Sequence, residues 1–175
     1  MAKTRVVLSD ASPLIALAAA GAFDLLRELS GAVTVTATVR REVLAGKGRP
    51  GEPELRAAIR AGWIYVQRDH RPDPTLADLD EGEATTLAAA AALGTGCLVL
   101  IDDPVGRQRA RALGLPIAGT AGVLITAKKR GLIPAVRPLL EALMNADFRL
   151  SHQVVTTVLE EAGEALDTRP KTPSP

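Results

Sequence analysis

Five carboxylates carry the most chemistry in this chain: Asp10, Glu42, Glu83 and the adjacent pair Asp102 and Asp103. Each lies at the end of an apolar, strand-like run or in an early helical turn. Like charges gathered within a few ångström raise one another's pKa and are costly in a poorly solvated cleft. A hard divalent cation reverses that cost. Oxygen ligands with no His or Cys nearby select Mg²⁺ or Mn²⁺ over zinc. Cations held this way activate water and stabilise the leaving oxygen of an in-line displacement at phosphorus, so the chemistry these acids suggest is phosphodiester hydrolysis. The competing reading makes Glu42 and Glu83 solvated helix-surface acids and Asp10 a helix N-cap.

Two apolar runs must position the acids. Cys97-Leu98-Val99-Leu100-Ile101 stops at Asp102-Asp103, and Val6-Val7-Leu8-Ser9 stops at Asp10. Neither shows amphipathic periodicity, and both fit short buried strands. In open α/β sheets ligands bind outside the carboxyl ends of the strands. Two such strands, about ninety residues apart, would bring their carboxylates to one sheet edge. Val33-Thr34-Val35-Thr36, Trp63-Ile64-Tyr65-Val66 and Pro116-Ile117-Ala118 read as further strands. Helices are expected over 11–20, from Phe23 to near Gly31, over 38–44 with Thr38 as N-cap, around Leu55 to Ile59, and over 83–93, 104–113, 123–129, 133–144 and 151–166. Residues 46–53 and 68–74 read as loops. This alternation predicts an α/β fold, a three-layer α/β/α sandwich with a central parallel sheet.

At 175 residues the chain is expected to form a single domain over 1–168, with a core over about 5–130, C-terminal helices over about 133–166 and a disordered tail at 169–175. Apolar residues make up 47% but aromatics only 2%, so the core must come from Ala, Leu, Val and Ile. The net charge of +1 removes any argument from bulk electrostatics for nucleic-acid or membrane binding. Cys97 reads as a small core hydrophobe, and a lone cysteine provides no disulfide framework, which favours a reducing compartment. The N-terminus lacks a signal-peptide pattern and no apolar run spans a bilayer. A soluble, cytoplasmic protein with no membrane partner is expected. His70 and His152 have no ligand-spaced partners and read as surface residues.

Taken together, these residues resemble a PIN domain, close to the VapC-type toxin nucleases, from Val6 to about Gly163. The resemblance is carried by Ser9-Asp10-Ala11-Ser12-Pro13-Leu14-Ile15, Arg41-Glu42-Val43-Leu44, Gly82-Glu83-Ala84, Ile101-Asp102-Asp103 through Arg107, and Leu113 to Thr120. It implies an endoribonuclease that cleaves single-stranded RNA with Mg²⁺ or Mn²⁺. By resemblance, Asp10, Glu42, Glu83 and Asp103 are the catalytic acids, and Asp10, Glu83, Asp103 and Asp102 the metal residues. A small antitoxin protein and homodimerisation are implied too. The helix from Ser151 resembles a PIN-like subgroup with an extra C-terminal helix. Two points depart from the commonest pattern: Glu83 stands where many relatives carry Asp, and Glu81 rivals it. A helix sets those two about 200° apart, so only one can face the cleft. The pleat likewise sends Asp102 and Asp103 to opposite faces, so only one of them can face the metal while the other caps the following helix; the resemblance favours Asp103 as that ligand.

Substrate contacts must come from local groups. Arg107 and Arg111 share a helix face after the acids and are candidates to hold phosphates, as are Lys47 and Arg49 in the Gly-rich loop. Each is equally a solvated surface cation. Ser12 and Thr120 complete the candidate set, Thr120 either bonding phosphate or capping its helix. A phosphatase acting through an aspartyl-phosphate would want Asp where Ser12 stands, and a phosphorelay receiver would want its acid pair near the N-terminus. A PIN-like module that has lost turnover and holds RNA or a partner protein is the non-enzymatic alternative.

Overall fold

The computed structural model describes residues 5–164. Its five-stranded, all-parallel sheet is built from β1 (Val6–Ser9), β2 (Val33–Thr36), β3 (Ile64–Gln67), β4 (Cys97–Leu100) and β5 (Ile117–Ala118) in the order β3-β2-β1-β4-β5. Between β1 and β3 run α1 (Ala11–Ala19), α2 (Leu25–Ser30), α3 (Ala37–Ala45) and α4 (Glu52–Arg60). The return leg carries α5 (Glu81–Leu93) and α6 (Pro104–Ala112), and α7 (Thr120–Lys129), α8 (Arg137–Asn145) and α9 (His152–Glu161) follow β5. Strand order reverses at β1, so right-handed crossovers place the outgoing and returning helices on opposite faces of the sheet. The result is the expected α/β/α sandwich.

Alternation along the strands separates two cores. Val7, Val33, Val35 and Leu100 pack with α1–α4 and α7–α9, whereas Leu8, Cys97, Val99 and Ile101 pack with Leu87 and Ala90 of α5 and Ala110 of α6. The central strands β1 and β4 are therefore apolar on both sides, which is why they show continuous runs rather than stripes, whereas β2 alternates Val with Thr and β3 leaves Tyr65 and Val66 exposed. Cys97 is fully buried, its thiol facing the carbonyls of Ala90 and Gly94, as expected of a core residue. Glu164 fastens the end of the described chain by accepting from Lys128 Nζ and the Val136 and Arg137 amides.

Several expectations need correction. Thr36, not Thr38, caps α3, its Oγ1 accepting from Val39 N at 3.2 Å. Thr38 is claimed instead by Asp69, which accepts from its amide at 3.0 Å and its hydroxyl at 2.9 Å. Helix α8 starts at Arg137, later than Ile133, and Trp63 precedes β3 as a buried residue tilted against Phe23. Helix α4 begins at Glu52, inside the expected loop. The last helix, expected to run to Leu166, ends at Glu161 with Ala162 as its C-cap, and the predicted tail at 169–175 lies outside the described residues. Among the described residues no helix is long and apolar enough to cross a membrane.

Candidate metal centre

Asp10 and the Asp102–Asp103 pair lie where the strand order reverses, at the β1/β4 edge, the place where doubly wound sheets open a crevice. Ser9 and Leu100 are register partners, and the Asp10 amide donates to the Leu100 carbonyl at 3.0 Å, so the two acid-tipped strands end side by side. The pleat then distributes the acids. Leu8 and Ile101 point toward α5, and two residues beyond each stand Asp10 and Asp103 on that same face. Asp102 falls to the α7 face.

Asp10 caps α1 and is only 2% exposed. One oxygen, Oδ2, accepts from Ser12 N at 3.4 Å; the other, Oδ1, is buried without a hydrogen-bond partner. Burial foremost, opposed by the Ala11 and Ser12 amides and reinforced by the charges of Asp80 and Glu42, raises its carboxyl to about 6. Glu83, 6% exposed on the first turn of α5, is raised to about 7 by burial and then by Asp80, Asp103 and Asp10. Glu42, on α3, is exposed overall, but desolvation of its carboxyl and the neighbouring charges of Asp80 and Glu81 push it upward as well. Asp103 caps α6, its Oδ2 accepting from Gly106 N at 2.8 Å. Any side chain at Gly106 would strike Ile101, its Cβ falling 2.5 Å from the Ile101 terminal methyl and 3.6 Å from the Glu83 carboxyl carbon, so this glycine lets α6 close on Glu83.

Sequence reasoning overlooked Asp80. It caps α5 reciprocally with Glu83: Asp80 Oδ1 accepts from Glu83 N at 2.8 Å and Glu83 Oε2 accepts from Asp80 N at 3.4 Å. The signal was present as Asp80-x-x-Glu83, a capping box ahead of an apolar helix. Glu81 turns outward into an exposed ion pair with Arg41 at 3.1 Å, as the 200° argument requires of one of the two. Thr85 fixes α5 to the sheet through a buried 3.1 Å contact with Thr36 on β2.

Asp102 corrects another expectation. The following helix, α6, is capped by Asp103 itself, while Asp102 reaches past it to α7 and accepts from Thr120 N at 2.7 Å and Thr120 Oγ1 at 2.6 Å. Thr120 is thus committed to Asp102. Arg107 is half-buried and donates from Nη1 to the Ile101 carbonyl at 3.0 Å, which ties α6 to the end of β4. Asp102 and Arg107 border a cavity of about 650 Å³ between β5, α7 and α9, away from the acids on the α5 face. Ser12, Lys47, Arg49 and Arg111 are exposed, Ser12 beside Asp10 on the first turn of α1.

Among the described residues no Lys or Arg pairs with Asp10, Glu42, Asp80, Glu83 or Asp103. The donor set is carboxylate oxygen throughout, which suits a hard divalent cation. Among the same residues, no three acids are drawn in closely enough to hold an ion as they stand.

A search of curated proteins gives no match to this chain. The family profile described as PIN domain matches residues 6–164, all but the first of the described residues. With that match and the five-stranded parallel sandwich that presents acids at its switch point, the chain belongs to the PIN domain family, a nuclease-type fold.

Proposed function

We propose that the protein is a Mg²⁺- or Mn²⁺-dependent endoribonuclease cleaving single-stranded RNA, with Asp10, Glu42, Glu83 and Asp103 as its acids. The observation that carries this reading is Asp10 Oδ1, buried without a partner amid carboxylates that no cationic side chain neutralises. An orphaned carboxylate oxygen in such surroundings fits a divalent cation. When bound, the cation supplies positive charge to the scissile phosphate and lowers the pKa of water. Asp10 would hold it through Oδ1, and Asp103 through the oxygen not spent on Gly106. Glu83, with a carboxyl near neutrality, is suited to accept a proton from the attacking water. Exposed Lys47, Arg49 and Arg111 would meet RNA phosphates, and Ser12 lies close enough to Asp10 to bond one at the site.

A role as the toxin of a cytoplasmic toxin–antitoxin pair, with a small antitoxin and a second copy of the chain as partners, draws support from the motif order shared with VapC-type proteins. The alternative, a silent module that binds RNA or a partner protein, is favoured by one observation, the spacing of the acids as they stand. Cleavage of single-stranded RNA in Mn²⁺, measured beside Mn²⁺ calorimetry for wild type and Asp10→Asn, decides between them. Wild type is expected to bind and cleave and the variant to do neither. Equal cleavage by both removes the metal mechanism, and a wild type that neither binds nor cleaves leaves the binding module.

A further inference from the structure

The cavity of about 650 Å³ between β5, α7 and α9 is of a size that holds a nucleoside. Small residues keep it open on the α7 side: Ala118, Gly119, Ala121 and Gly122 all border it. A Cβ on Gly119 would come within 2.7 Å of Asp102 Oδ1 and 3.0 Å of Arg107 Nη1. Ile117, Ile125, Val154 and Val158 supply apolar wall, and Val154 is left 43% exposed. Along α9, Gln153, Thr157 and Glu161 recur every four residues and so present one polar stripe to the cavity.

Two charges in this lining are unspent. Asp102 is not one of them, since both of its oxygens accept from Thr120. Arg107 is half-buried, yet only its Nη1 donates, to the Ile101 carbonyl, and no described carboxylate pairs with it. A guanidinium has five N–H donors, and leaving them idle in a half-buried position is costly. Glu161 makes no ion pair or hydrogen bond among the described residues. A cation and a carboxylate therefore border one cavity without neutralising each other.

The cavity also lies beside the acid centre. The sheet is all parallel, so β5 ends at the same edge as β1 and β4. Asp102 borders the cavity, and Asp103, the next residue, adds its charge to that of Glu83. An RNA strand with a phosphate at the acids has a neighbouring base within reach of the cavity across the sheet edge.

Building on the ribonuclease reading above, we infer that this cavity takes one unpaired guanine base next to the scissile phosphate, Arg107 donating to its O6 and N7 and Glu161 accepting from its N1–H and N2–H groups. Guanine carries two adjacent acceptors on one edge and two adjacent donors on the next, which matches one guanidinium and one carboxylate. Adenine would turn the lone pair of N1 toward Glu161 and its amino group toward Arg107. Helix α9 is in this reading the element that selects the base.

Guanosine and adenosine 5′-monophosphates are titrated into the metal-free full chain by calorimetry, so that binding is read without turnover. Arg107 is left intact because it also ties α6 to β4. Wild type is expected to prefer the guanine nucleotide at least about tenfold. Glu161→Ala should lose that preference, and Val154→Trp, which fills the cavity from an exposed position, should lose binding, both with unchanged melting temperatures. Oligouridylates carrying a single guanosine should be cut in Mn²⁺ at a fixed distance from it by wild type, and without regard to it by Glu161→Ala. Equal affinity for the two nucleotides, binding of neither, or a preference that survives in Glu161→Ala overturns the guanine site. Cleavage unrelated to the guanosine overturns its place on the substrate strand and leaves the nuclease reading intact. A guanine preference with no cleavage of any RNA keeps the pocket and overturns the nuclease reading.

Discussion

Asp102 and Asp103 are consecutive in sequence and face opposite surroundings. On the α7 face Asp102 accepts two hydrogen bonds from Thr120, and its Oδ1 and Arg107 Nη1 both border Gly119, so its charge is spent on building the β4–α7 junction. On the α5 face Asp103 adds its charge to those of Asp10, Asp80 and Glu83, and burial holds Asp10 and Glu83 above the usual carboxylate range. Donors on both oxygens turn the Asp102 carboxylate into structure; Asp103, with a donor on Oδ2 alone, keeps an oxygen available to a ligand. Which of these an acid becomes is decided here by the face of the sheet, not by residue type.

The contrast can be broken from either side. Asp102→Ala deletes both bonds to Thr120 and strands a buried amide at the start of α7, so urea denaturation should show a loss of about 3 kcal/mol, with Mn²⁺ affinity unaltered. Next in size is a pH effect without metal. Asp10 and Glu83 bind protons more tightly folded than unfolded, so the folded state holds more protons between the two sets of pKa values. Stability should therefore be undiminished below about pH 4 and fall as pH rises toward about 7. Asp10→Asn removes part of that slope and should raise stability at pH 8 by about 2 kcal/mol in denaturant titrations. Asp103→Ser keeps the cap on α6 but withdraws a charge from the acid face, so Mn²⁺ affinity should drop about tenfold, or 1.4 kcal/mol, with no loss of metal-free melting temperature. Smallest is Glu81→Gln, which breaks only an exposed ion pair with Arg41 and should cost less than about 0.5 kcal/mol while leaving Mn²⁺ binding untouched. A loss of Mn²⁺ affinity there would reverse the assignment of Glu81 and Glu83.

What could be read ahead of the structure was local. Burial on both faces makes β1 and β4 uniformly apolar, so their acid tips stand out, and the helical angle separates Glu81 from Glu83 without any knowledge of neighbours. The split of Asp102 from Asp103 follows from the pleat alone. What stayed hidden depends on partners far along the chain. Asp69 takes Thr38 across 31 residues, leaving Thr36 as the cap of α3. Thr120 draws Asp102 away from the nearer helix, and Arg107 turns to the Ile101 carbonyl rather than outward to a phosphate. Asp80 reads locally as a cap, and only the meeting of α3, β1 and α5 shows what else it faces.

The sheet order also sets a timetable. β2 and β3 lie on one side of β1, and β4, made long after them, takes the other. A chain emerging from a ribosome has Asp10, Glu42 and Glu83 in hand early, but the carbonyl that accepts the Asp10 amide belongs to Leu100, and Asp103 comes later still. Long-range parallel pairing of this kind is slow to form. The acid centre is therefore assembled in the second half of synthesis, and a fragment ending before β4 carries its acids without the strand that would gather them.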